Sequence, residues 1–561
     1  VSALNHAPAG KWGFVKSQGE DFVLGNGEKI RFWGVNVNYA GAFPPKTIAP
    51  RMAGRLAKFG FNSVRFHQFE TTEGNGVSSS TIFKVVTNSR GLPEVKWPFE
   101  IDPVQLDRLD FFVAELIKRG IYVNFNLHVA RKTREADGFV YADALPEKDK
   151  GIAYFDERLA RKNEEFSRQL LNHVNPYLGR AYKDEPGICA IEVDNENSLL
   201  SLWLEGQISE GGRRQLPDFY ADKLRARWNA WLRQKYASEG SFRRAYTEFN
   251  APLSGPELLL SARNSAPSPN GVPLAVAAQN SDTGAVIVPE TAPGVGIAGA
   301  EIHGARALEN RVPTLANWRL VTTPGAQGRA ELDEFAGPTV NGIVQPGMSV
   351  RTLVPGAQSW AFQLVRDGLA LDSQKPYTLS FWARSETRRT ISLNVWDTRR
   401  PFNWLGVTRK IALSNEWQQF TIGFRPIGAV APNVRLSFDL GNSVGLVQFG
   451  QMSLRAGGRI GAPDSWGLRA GVPLIHARDE PIFAARRDFA RFLGDLEADY
   501  VQSQRDFLQK ELGVKVPIWH SQANFGGWGG LRRELLSDAI DIHAYWKHPT
   551  GLGTPNWAVQ N

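Results

Sequence analysis

A chain of 561 residues, 42% hydrophobic and 22% charged, exceeds what one apolar core organises, so two or more domains are expected. Its net charge of +8 arises from 65 basic residues dispersed among 57 acidic ones. Adjacent basic residues come as pairs such as Arg388-Arg389 and Arg399-Arg400, which reads as a solvated surface and argues against a nucleic-acid partner. The one cysteine, Cys189, excludes a disulfide within the chain, and no run approaches the roughly 18 apolar residues of a membrane span. None of it reads as a signal peptide, and a start at Val1 without Met is expected of a processed or trimmed chain.

From Lys29 to about Asn250, short apolar runs alternate with amphipathic stretches, the pattern of βα units and a parallel sheet. Ile30-Arg31-Phe32-Trp33-Gly34-Val35-Asn36 is the predicted first strand, followed by a helix near Pro50–Phe59. Phe61–His67 is the second. Asp102, with Pro103 behind it, starts a helix that runs to Gly120. Ile121–His128 is the third strand, a long helix follows from about Glu157, and Ile188–Val193 is the fourth strand. A polar helix from about Phe219 to Tyr236 closes the block.

Residues 251–310, rich in Pro, Gly, Ala and Ser, read as linker. Across 311–458 the texture changes to short alternating strands such as Tyr377–Arg384 and Trp417–Ile422, which predicts an antiparallel β-sandwich. The helical period returns near Ala485 and runs to Leu512. Val516–His520 and Ala539–Tyr545 are then a fifth and a sixth strand. The predicted architecture is a (β/α)8 TIM barrel, strands one to four in 1–250 and five and six in 459–561, interrupted by the sandwich.

In such a barrel the working residues cluster where the strands end at their C-terminal side. There this chain puts Arg65 and His67, His128, Asn195-Glu196, Trp519-His520 with Gln522, and His543 with Tyr545 and Trp546. Singly each has a plainer role, since Arg65 can hold a structural carboxylate and a lone His128 or His543 can be a hydrogen-bonded core residue. On an ideal strand Glu192, Asp194 and Glu196 share a face while Asn195 points away. A twist or bulge is needed to bring Asn195 and Glu196 into one site.

Phe32-Trp33-Gly34-Val35-Asn36, Asn62–His67, Asn195-Glu196-Asn197-Ser198 and His543-Ala544-Tyr545-Trp546 together resemble the family 5 glycoside hydrolases and their retaining-barrel clan, over roughly residues 10–250 and 465–549. The resemblance implies a retaining endo-type β-glycoside hydrolase. Glu196 would be the acid/base, Asn195 would hold the sugar 2-hydroxyl, Arg65 and His128 would support the site electrostatically, and His543 and Tyr545 would line it near the nucleophile. His67, Trp519, Gln522 and Trp546 join the expected substrate-binding set. A β-glucan is the expected substrate; mannan, xylan or galactan, and a non-catalytic carbohydrate-binding protein, are the alternatives.

In this clan the nucleophilic Glu ends strand seven. No such residue is found in this chain, so strands seven and eight are expected beyond Asn561, on a further segment or a second chain. Glu70 is the nearest in-chain substitute. The sandwich resembles a jelly-roll carbohydrate-binding module, with Trp396 and Trp404 as sugar platforms and Trp360 and Trp417 in its core. No helical histidine pair, phosphate-cradling Gly-Lys loop or dinucleotide fingerprint is present, so neither cofactor nor metal is expected. Three histidines at the mouth could bind zinc, but the clan positions explain them better. A polysaccharide or oligosaccharide partner, and its usual location, imply secretion or a periplasmic or cell-surface site.

Overall fold

The computed structural model describes residues 6–72, 77–129, 131–145, 150–208, 216–260, 313–399, 402–463, 465–477, 482–520 and 525–544. The chain divides into two compact units, one of residues 1–235, 471–477 and 486–561, the other of 236–470 and 478–485.

The first unit is built on a five-stranded sheet in the order Ile518–Trp519, Ile188–Glu192, Tyr122–Asn126, Ser63–His67, Gly34–Asn38, with every pairing parallel. Its central strands Tyr122–Asn126 and Ile188–Glu192 are buried along their whole length, as strands covered on both faces must be. Connecting helices follow the start signals. Asp102 accepts from the amides of Val104 (2.8 Å) and Gln105 (2.9 Å) ahead of the helix Pro103–Lys118, and Asp156 caps Glu157–Asn172 in the same way. Apolar faces of these helices bury Leu109, Phe112, Leu116, Phe166 and Leu170 against Phe66, Val123, Phe125 and Ile191.

Two expectations about this sheet are corrected. The first strand starts at Gly34, because a side chain there would lie 3.0 Å from the Ser63 carbonyl oxygen, a close approach that glycine permits. Upstream, Lys29–Ile30 belongs to a separate antiparallel sheet with Asp21–Val23 and Lys16–Gln18, and Trp33 stacks on Phe61 with 68% of its surface exposed. Residues 539–544 are not a strand. Among the described residues the sheet is open, with five parallel strands.

The second unit is a β-sandwich. One sheet holds Gln327–Asp333, Gly347–Val354, Gly445–Gly461, Tyr377–Ser385 and Gln418–Phe424, joined by Thr247–Ser254, which crosses the expected domain boundary at residue 250 to pair with Gly445–Gly461. The other holds Arg319–Thr322, Phe362–Leu369, Val434–Asp439, Arg389–Asp397 and Asn403–Leu413 in that order. Alternate residues, among them Phe362, Leu364, Phe381, Leu393, Val395, Phe438 and Phe449, fill the space between the sheets. Trp360 and Trp417, expected in this core, are only half-buried. Trp360 sits in the short turn Ser359–Ala361 before its strand, and Trp417 precedes its strand with the Arg384 guanidinium 5.0 Å from its ring.

Candidate active site

Polar groups converge where the strands Ser63–His67 and Ile188–Glu192 end. Arg65 donates from Nε and Nη2 to the two oxygens of Glu192 at 2.6 and 2.5 Å, and from Nη2 to Asn195 Oδ1 at 3.1 Å. Burial pushes the Glu192 carboxyl above the usual range, against the pull of Arg65. Burial alone would lower the Arg65 pKa, but Glu192 outweighs it and raises it. Glu192 and Arg65 therefore depend on each other.

Beyond Glu192 the chain stays paired for three more residues: Val193 donates to the Trp519 carbonyl, Asp194 to that of His520 and Asn195 to that of His128. At Glu196 the backbone turns into the left-handed region (φ 50°), which non-glycine residues enter at a cost. This turn is the twist that the alternation of an ideal strand lacks. It directs Glu196 Oε1 to His543 Nδ1 at 2.9 Å, while His543 Nε2 lies 3.1 Å from Asp541 Oδ2. Burial would lower the His543 pKa, but the two carboxylates outweigh it and raise it to about 9.

Beneath, His128 Nδ1 and Asp194 Oδ1 are 2.5 Å apart and His520 Nε2 lies 3.3 Å from the other Asp194 oxygen, all three buried. Burial opposes ionisation of Asp194, yet the two histidines hold its carboxyl well below the usual range. His67 is neutral, lowered to about 3 by burial and by the charges of Arg65 and His543.

Arg65 is thus hydrogen-bonded to Asn195, and His543 to the neighbouring Glu196, with His67 close enough to feel the charges of Arg65 and His543. Trp519 is half-buried on the rim of the apolar core, 6.3 Å from the Phe22 ring. Gln522, Tyr545 and Trp546 lie outside the described residues. Glu70, the nearest in-chain substitute for the nucleophile, is buried: its Oε1 accepts from the Val129 amide (2.7 Å) and its Oε2 faces Arg131 (3.2 Å). Sequence reasoning missed Asp541; its place two residues before His543, on one face of an extended segment, was the available signal. Glu192, Asp541 and His543 offer ligand atoms within 4.8 Å of one another, but Arg65 already engages both Glu192 oxygens, so a cation there would compete with the guanidinium.

On the outer face of the second sandwich sheet, Asp439 accepts from Gln363 Nε2 (2.7 Å) and Asn394 Nδ2 (2.9 Å), and Thr408 Oγ1 donates to Asn394 Oδ1 (2.7 Å). Burial raises the Asp439 carboxyl to about 6. Trp396 and Trp404 are register partners on adjacent strands beside this ladder, and Trp404 is 38% exposed with its indole N–H donating to the Val407 carbonyl at 3.1 Å.

Residues 341–445 match the family model described as "Carbohydrate binding domain". The sandwich is of the carbohydrate-binding-domain type. Among solved structures, one described as "CBM4 structure and function" is 20% identical, covers 25% of this chain and 86% of its own, and has a TM-score of 0.21. An endo-1,4-beta-mannanase from Rhizomucor miehei is 18% identical over 40% of this chain (TM-score 0.27), and an endo-beta-1,4-mannanase from Thermotoga petrophila 17% identical over 42% (TM-score 0.24). The chain spans 58% and 46% of those two mannanases. No curated protein matches it. Among the described residues no helix is long and apolar enough to cross a membrane.

Proposed function

We propose that the first unit carries the acid/base side of a retaining β-glycosidase site on a (β/α)8 barrel, acting on a β-glucan that the sandwich also binds. The observation that carries this reading is Glu196 itself, in a left-handed turn at the end of a parallel strand with its carboxylate on His543. Asn195, held by Arg65, stands beside it as a hydrogen-bonding group for a sugar hydroxyl.

In the first step Glu196 gives a proton to the departing glycosidic oxygen, and in the second it takes one from water. At neutral pH the pair of His543 and Glu196 holds one proton between Nδ1 and Oε1, since the imidazole stays protonated up to about 9. That pair serves both steps: its proton passes through Oε1 to the departing oxygen in the first, and the pair, then short of it, takes one from water in the second. Arg65 and the histidine-flanked Asp194 keep the remaining charges paired and in place. Glu192, Asp194 and Asp541 each already face a cationic or histidine partner, so this reading assigns the nucleophile, about 5–5.5 Å from Glu196 in a retaining enzyme, to a residue outside the described ones.

The same engaged carboxylates, with the carbohydrate-binding-domain match, favour a second reading, a carbohydrate-binding protein without turnover. One experiment separates the two: the protein is incubated with β-glucans, mannan, xylan and galactan, and new reducing ends are followed with their anomeric configuration. The expected result is β-glucan hydrolysis with retention. Inverted product would sink the double-displacement reading, and binding without hydrolysis of any polymer would leave the second one.

A further inference from the structure

The strained turn at Glu196 is gripped from behind by groups distant in sequence. The Asn197 carbonyl accepts from Arg533 Nη1 and from the Tyr154 hydroxyl, each at 3.1 Å. Ser198 Oγ donates to Glu497 Oε1 at 2.7 Å, and the same oxygen accepts from the Leu200 amide at 3.1 Å. Arg533 Nη1 also donates to Glu497 Oε2 at 2.9 Å, and Arg533 Nε to Glu534 Oε1 at 2.9 Å. Arg533, Glu497 and Glu534 are each 0% exposed. One buried ion pair therefore holds three of the four residues that follow Glu196, at sequence separations of 299 and 336 residues.

A pair this deep is a poor way to add stability, because well-packed apolar residues would serve equally well or better. What it supplies is geometry: Arg533 presents a rigid fork of donors to a backbone carbonyl and a carboxylate at once. The left-handed backbone at Glu196 persists only where its surroundings over-determine it; Lys150 Nζ reaches the Glu196 carbonyl at 3.4 Å, and Arg533, Glu497 and Tyr154 hold the residues that follow. We propose that Arg533 and Glu497 are positioning residues that hold Glu196 in line for proton transfer. This rests on the reading of Glu196 as the acid/base, and the experiment tells the two apart.

Values of kcat/KM are measured for the phenyl and 2,4-dinitrophenyl β-glycosides of whichever sugar the polymer panel selects, with the parent, Glu196→Gln, Arg533→Lys and Ser198→Ala. Arg533→Lys keeps the charge and loses the fork; Ser198→Ala removes a single link and is the variant to read if the lysine form fails to fold. A loosened acid predicts a loss of about 10- to 100-fold on the phenyl glycoside and less than about threefold on the dinitrophenyl one, whose leaving group needs no proton. Ser198→Ala should show the same asymmetry at a few-fold. If Glu196→Gln is asymmetric while both clamp variants lose equally on the two substrates or not at all, the clamp proposal is overturned and Glu196 stands. If Glu196→Gln itself loses equally on both, the acid/base reading falls and the clamp falls with it.

Discussion

The parallel sheet and the outer face of the sandwich both gather buried polar groups, but they handle charge in opposite ways. At the sheet ends the described carboxylates have cationic or histidine partners: buried Glu192 has Arg65, buried Asp194 has His128 and His520, and half-buried Asp541 shares His543 with Glu196. On the sandwich face the buried carboxyl of Asp439 is met by two neutral amides and sits at about 6. Paired charges at fixed distance suit proton movement, whereas an exposed ring such as Trp404 over a buried neutral ladder suits contact with a neutral polymer.

The largest effect expected from breaking this contrast is at Glu196. Glu196→Gln should lower kcat/KM on polysaccharide by about 10²- to 10⁴-fold, the usual worth of general acid–base catalysis, with the thermal transition unmoved. Equal turnover by the variant would remove Glu196 from the chemistry and leave the sheet ends a structural charge network.

Next in size is the mutual dependence of Arg65 and Glu192. Arg65→Leu leaves a buried carboxylate without its partner and should destabilise the first unit by about 3–5 kcal/mol. Replacing both residues by leucine should recover much of that stability without recovering activity, because Asn195 has then lost its donor. Chemical denaturation followed by tryptophan fluorescence would show it, and a single variant as stable as the parent would mean that Glu192 takes up its proton at little cost.

The sandwich carboxyl makes the third test, through pH. Asp439 is raised from 3.8 unfolded to about 6 folded, so between these values the native state binds more protons than the unfolded one and stability falls as pH rises. The cost is absent below about 3.8, complete above about 6, and on the order of 3 kcal/mol. Asp439→Asn should flatten this part of the profile and raise the melting temperature of the sandwich at pH 7 relative to pH 4. An unaltered slope would place the pH dependence in another group.

What the sequence disclosed follows from how local each signal is. Asp102-Pro103 announces its helix because a cap is a matter of four residues, and the mouth residues on the second and fourth strands stand beside recognisable runs. The first strand was misplaced because Ile30–Asn36 is one apolar run, while the break at Gly34 is imposed by the Ser63 backbone on the neighbouring strand. Partners of Glu196 were legible only in part: His543 lies in a motif, but Asp541 looked like an ordinary strand residue, and the link from Arg533 to Asn197 spans 336 residues and leaves no pattern. Trp360 and Trp417 show the same limit, since an apolar neighbourhood in sequence does not tell a strand interior from the turn that precedes it.

The smallest effect is also the one that decides whether the sandwich face binds sugar. Trp404 keeps 38% of its surface exposed while its indole N–H is already satisfied by the Val407 carbonyl, so its ring face is free for contact without leaving a polar atom unpaired. Trp404→Ala should weaken binding to insoluble β-glucan by about five- to tenfold, or about 1 kcal/mol, with little change in melting temperature because the ring is not in the core. Trp396, half-buried on the neighbouring strand, should lose both binding and stability when truncated. Trp417 is the control, since its ring already faces the Arg384 guanidinium. If Trp417→Ala lowers binding as much as Trp404→Ala does, the sugar lies on the other sheet, and the amide ladder around Asp439 is a structural feature of the face rather than a contact surface.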